Sequence, residues 1–113
     1  MRERVSNSID SMVRSVINDL IDTLKLQSPP RIYTFAELEA MSREQLEAEF
    51  PSGLATIRLS LSQMRDNPNK LGRHISGEFG KVIIFRESGN QLQDALVVAH
   101  EIGHSLYKEE RDK

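Results

Sequence analysis

Apolar positions along the chain change period several times, and each period predicts an element. Val5, Ile9, Met12, Val13, Val16, Ile17, Leu20, Ile21 and Leu24 recur at spacings of three and four, with Ser, Asn, Asp and Arg between them. That spacing predicts an amphipathic helix over 5–24 with one broad apolar stripe. Gln27-Ser28-Pro29-Pro30 ends it, because proline cannot continue the backbone ladder. Such a stripe serves to pack a helix on a sheet; the alternative use is a homodimer or partner contact through the same helix. Arg31-Ile32-Tyr33 reads as a short extended piece. Thr34-Phe35-Ala36-Glu37 and Ser42-Arg43-Glu44-Gln45 have the form of capping boxes, which predicts two short helices at roughly 35–40 and 43–49. Phe50-Pro51-Ser52-Gly53 is a turn. Glu37, Glu39, Glu44, Glu47 and Glu49 read as a solvated helix face rather than a cation site.

From Leu54 the pattern alternates. Ala55, Ile57, Leu59 and Leu61 interleave with Thr56, Arg58, Ser60 and Ser62, which predicts a half-buried strand over 54–62. Arg65 to Lys70 is a polar loop, and Gly72 to Gly80 holds a short strand over 73–76 and a tight turn. The glycines there form no phosphate loop, since the Gly-Lys-Ser/Thr ending is absent. Lys81 to Glu87 is β-branched and aromatic and predicts a well-buried strand. Ser88-Gly89-Asn90 is a turn with N-cap residues, and a last helix begins near Gln91. Leu92, Ala95, Leu96, Ala99, Ile102 and Leu106 form its apolar stripe, which puts His100 and His104 on the opposite side. The charged stretch Lys108 to Lys113 closes it and is expected to fray. The expected architecture is a single α+β domain. A sheet of three strands, 54–62, 73–76 and 81–87, carries a long N-terminal helix and a C-terminal helix.

Composition narrows the chemistry. The chain has 113 residues, enough for one modest core. Its formal net charge of −2 gives no general reason to expect nucleic-acid or membrane-surface binding. Basic residues Arg58, Arg65, Lys70 and Arg73 are scattered among acidic ones, with few aromatics on which bases could stack. There is no cysteine, which excludes disulfides, thiolate zinc sites and cysteine nucleophiles and fits a cytoplasmic protein. Met1 to Val5 leads into no apolar h-region, so no signal peptide is expected, and no apolar run reaches membrane-spanning length.

The stretch Ala99-His100-Glu101-Ile102-Gly103-His104-Ser105 contains His-Glu-x-x-His. On a helix, residues four apart lie one turn above each other, so His100 and His104 can direct two imidazoles at one metal ion. Neutral imidazole suits zinc, and Glu101 is placed to act as general base on a zinc-activated water. By average residue usage a chance match falls in about one chain in a few hundred of this length. Ala99 and Gly103 flank the histidines with small side chains. Gly103 costs a helix roughly 1 kcal/mol against Ala, which suggests close approach by another group.

Val98 to Leu106 resembles the active-site helix of the zincin metallopeptidases, most of all the small intracellular ImmA/IrrE-like peptidases and the zincin-like domains of phage and plasmid proteins. At its widest the resemblance runs from Lys81 to Tyr107. It implies metal ligation by His100 and His104, a general-base role for Glu101, zinc as cofactor and a peptide or protein substrate. It also implies that a strand ahead of the helix serves as the edge along which substrate lies; Lys81–Glu87 holds that place if it is an edge. Zincins take a third ligand from beyond the helix. The metzincin form needs Gly at 107 and His at 110, where this chain has Tyr107 and Glu110. Three sources remain open. Glu109, Glu110 or Asp112 would serve if the helix broke after Leu106. His74, or less well Glu78, would reach the metal from the strand or loop. The third source is a residue outside this chain, which would then be the N-terminal part of a longer protein. The expected function is a zinc-dependent metallopeptidase; the alternative is a catalytically incomplete zincin-like module that binds another protein.

Overall fold

The computed structural model describes residues 5–6 and 8–111. Eight elements follow in chain order: α1 (Ser11–Leu24), β1 (Arg31–Thr34), α2 (Phe35–Glu39), α3 (Arg43–Glu49), α4 (Leu54–Asp66), β2 (Gly72–Gly77), β3 (Gly80–Phe85) and α5 (Gln91–Arg111). The class is α+β, with a three-stranded mixed sheet.

Local chemistry sets most boundaries. Asp10 caps α1 by accepting from the Met12 amide, so the helix starts later than the apolar spacing implies. Val5 instead forms a bridge with Ile32, and the Ser6 amide donates to the Ile32 carbonyl. Both capping boxes form. Thr34 and Glu37 exchange bonds at the start of α2, as do Ser42 and Gln45 at the start of α3. Glu39 pairs with Arg65 at 2.7 Å and Glu37 accepts from Ser6 Oγ at 2.6 Å, so these carboxylates tie elements together.

The strand expected over 54–62 is a helix. Its buried residues are Ile57, Ser60, Leu61 and Met64, at i, i+3, i+4 and i+7, while Leu59 of the alternating set is 58% exposed. Ile57 and Leu61 satisfy both periods. Ser60 and Met64 decide between them, helped by a segment rich in the helix formers Leu, Ala, Arg, Gln and Met. The third strand is β1, the short extended piece ahead of the first capping box.

The strand order is β1-β3-β2. β1 runs parallel to β3 and β2 runs antiparallel to it. The strand over 81–87 is therefore central, not an edge, and cannot offer its backbone to a substrate; among the described strands β2 is the edge beside α5. Side chains alternate across β3. Ile83 and Phe85 join Ile32, the α1 residues Val13, Ile17 and Ile21, and the α5 residues Val98 and Ile102. Val82 and Ile84 face the other way, with Leu38, Leu46, Phe50, Ile57, Leu61 and Met64 of the α2–α4 segment. The sheet thus lies between two helical layers. The α1 stripe is used in this core, leaving Met12 and Val16 exposed. No helix among the described residues is long and apolar enough to cross a membrane.

Candidate metal centre

α5 positions the site. Asn90 starts it, its side chain accepting from the Gln93 amide at 3.0 Å. Buried Asp94 accepts from the amide and hydroxyl of Ser88, fixing the turn ahead of the helix. Val98 and Ile102 are fully buried against the sheet and α1. Anchoring by that side leaves the other in solvent, and His100 and His104 both lie on it.

The two imidazoles converge. His100 Nε2 and His104 Nε2 are 3.2 Å apart, and the rings stand nearly perpendicular with centroids 4.7 Å apart. Two nitrogens bound to one tetrahedral zinc at about 2.0–2.1 Å must lie about 3.3–3.4 Å from each other, so little adjustment separates the present geometry from a shared metal. Glu101 completes a group whose ligand atoms all lie within 4.8 Å of one another. Two imidazoles and a carboxylate form a donor set suited to zinc.

Glu101 differs from its neighbours in burial, at 8% exposed. It lies against β2, and Gly72 is what permits the approach. A Cβ at Gly72 would stand 3.0 Å from Val97 Cγ1, 3.1 Å from Glu101 Cγ and 3.2 Å from Glu101 Oε2. The hydrophobic pattern does not single out Gly72; a glycine inside a strand is the available signal, since it marks close backbone approach. Gly103 is the reverse case. Nothing lies within 4 Å of a Cβ built there, so the close contact expected from its helix cost is absent among the described residues.

Two clefts meet at this carboxylate. One, of about 500 Å³, is lined by Lys70, Arg73, His74, His100, Glu101 and His104. The other, of about 440 Å³ and more apolar, includes Leu71, Gly72, Leu96, Val97, His100 and Glu101. His74 therefore shares a cleft with the His-Glu-His group without belonging to the set within 4.8 Å. Glu78 lines neither cleft. α5 runs unbroken through Arg111, so the break after Leu106 that Glu109 or Glu110 would need does not occur. Asp112 lies outside the described residues.

Burial raises the pKa of Glu87 from its ordinary value, and the charges of Asp94, Glu37 and Asp10 raise it further. None of these four residues lines either cleft. Compared with known proteins, the chain matches no family model, no curated protein and no solved structure.

Proposed function

We propose that this chain is a zinc-dependent metallopeptidase of the zincin type, akin to the small ImmA/IrrE-like peptidases, acting in the cytoplasm on peptide or protein substrates. The observation that carries the reading is the 3.2 Å approach of His100 Nε2 to His104 Nε2, with the Glu101 carboxylate in the same cluster, on the open side of an anchored helix. His100 and His104 would hold the metal. Zinc, when bound, supplies Lewis acidity that polarises a substrate carbonyl and acidifies water. Glu101 takes a proton from the attacking water and passes it to the leaving nitrogen as the carbon–nitrogen bond breaks. Its burial against Gly72 holds the carboxylate in place for both transfers. β2 is the edge strand beside the site, so an extended peptide would pair along it and cross the cleft lined by Arg73 and His74.

One observation favours the alternative, a zincin-like module that binds protein without catalysis: only His100, Glu101 and His104 of the described residues form the compact donor group. The two readings separate in one experiment. The purified chain is incubated with an unfolded protein substrate, with zinc, with a chelator, and with zinc restored after chelation. Cleavage that is lost and regained with zinc supports the peptidase. A chain that never cleaves yet captures a protein equally well after His100→Ala and His104→Ala substitution supports the module.

A further inference from the structure

We infer that His74, on the edge strand, is the third protein ligand of the metal held by His100 and His104. The inference rests on the metal-binding half of the function proposed above.

Strand register gives the side chain its direction. His74 pairs with Ile83 across the antiparallel ladder, and directly paired residues project to the same face. Ile83 packs in the core formed with α1 and α5, so His74 faces α5. Gly72, two residues earlier, faces the same way and abuts Glu101. From Gly72 to His74 the strand advances about 6.6–6.8 Å, close to the 5.4 Å of one helical turn. The clefts follow the same progression. The one at Gly72 is lined from α5 by Gln93, Leu96, Val97, His100 and Glu101. The one at His74 is lined by His100, Glu101 and His104, one turn further on. His74 thus stands across from the two converging imidazoles.

In the present arrangement His74 lies outside the group of ligand atoms within 4.8 Å. A change of its side chain between staggered rotamers, across the cleft that it lines with His100 and His104, is the movement that would bring the ring to the metal. The donor set becomes three imidazoles, with the fourth position of a tetrahedral metal left open, as a catalytic zinc requires. Glu101 is then free of ligation and keeps its proton-transfer role. A ligand from the strand before the helix also removes the need for one after it, which matches the unbroken run of α5 through Arg111.

The chain contains three histidines, so the ligand count is directly readable. X-ray absorption on the zinc-loaded full chain, kept monomeric, is expected to show three imidazoles, which can come only from His74, His100 and His104. Two imidazoles would overturn the inference and leave the metal site standing. Failure to bind zinc at all would overturn the proposed function and this inference together. Substitution supplies a second readout. His74→Ala is expected to weaken zinc by more than about 100-fold, beyond the 10–100-fold cost of losing an outer-shell partner. His74→Cys is expected to restore binding with one sulfur at about 2.3 Å from the zinc. A His74→Cys chain that binds zinc without that sulfur, or a His74→Ala chain that binds as tightly as the parent, would overturn the assignment.

Discussion

The two faces of the sheet are equally dry but do different work. On one, Phe50, Ile57, Leu61 and Met64 of the α2–α4 segment close over Val82 and Ile84, and the described contacts are packing and ion pairs. On the other, α1 and α5 close over Ile83 and Phe85, but α5 has a second side that faces solvent. Val98 and Ile102 hold the helix down while His100 and His104 look out. A single helix therefore sets its anchoring residues and the proposed metal ligands one or two positions apart. The face covered by α2–α4 has no such division. Substitutions there should change stability alone, whereas substitutions on α5 should separate the two properties.

The largest effect expected is on the chemical side. Glu101→Gln should lower zinc-dependent peptide hydrolysis by about 10²–10⁴-fold, the usual contribution of a general base, with zinc affinity retained. Loss of zinc along with activity would place Glu101 among the ligands instead. On the other face, Phe50→Ala should cost about 3–5 kcal/mol in urea unfolding, because it empties a fully buried ring site next to Tyr33 and Phe79. Zinc affinity measured below the unfolding transition should not move, and a parallel fall in affinity would break the separation of the faces. Gly72→Ala tests the seam between strand and site. Its new methyl must displace Val97 and Glu101, so stability should drop by about 1–3 kcal/mol and hydrolysis should fall with zinc still bound. Unchanged activity would show that the Glu101 position tolerates the shift.

The smallest effect is a control away from the proposed metal centre. The Glu87 carboxyl has a raised pKa in the folded chain, through burial first and then Asp94, Glu37 and Asp10. The folded state therefore binds this proton more tightly than the unfolded state, and stability is lost as pH rises through the interval between the two pKa values. At pH 7 the ionised group is a cost, so Glu87→Gln should be slightly stabilising, by no more than about 0.5 kcal/mol for so exposed a side chain. The gain should vanish below the ordinary carboxylate range. Urea unfolding at pH 7 and at pH 3 measures both.

Local signals carried into the structure most reliably. The two capping boxes, the buried run at Val82 to Phe85 and the turn ahead of Gln91 depend on neighbours in sequence, and each formed where those neighbours implied. The His-Glu-x-x-His spacing was legible because one helix turn alone brings His100 to His104. What could not be read depended on distant partners. Ile57 and Leu61 suit a strand and a helix equally, and the burial of Ser60 and Met64 that marks the helical face comes with packing in the layer of Phe50, Leu38 and Leu46. Of the residues expected at the start of α1, Val5 instead bridges to Ile32, and the helix begins only after the Asp10 cap. The central place of β3 follows from a parallel pairing with β1 across about 50 residues of chain, which no local pattern encodes. The same holds for Gly72 against Glu101 and for His74 in the cleft that it shares with His100 and His104, both products of how an edge strand meets a helix.

Calorimetric titration of zinc into the purified chain, beside the His100→Ala/His104→Ala double variant, tests the metal centre most directly. One zinc per parent chain, and loss of binding in an equally folded double variant, is the result predicted. A parent chain that takes up no zinc at neutral pH, or a double variant that binds it as well as the parent, would contradict a metal centre on α5.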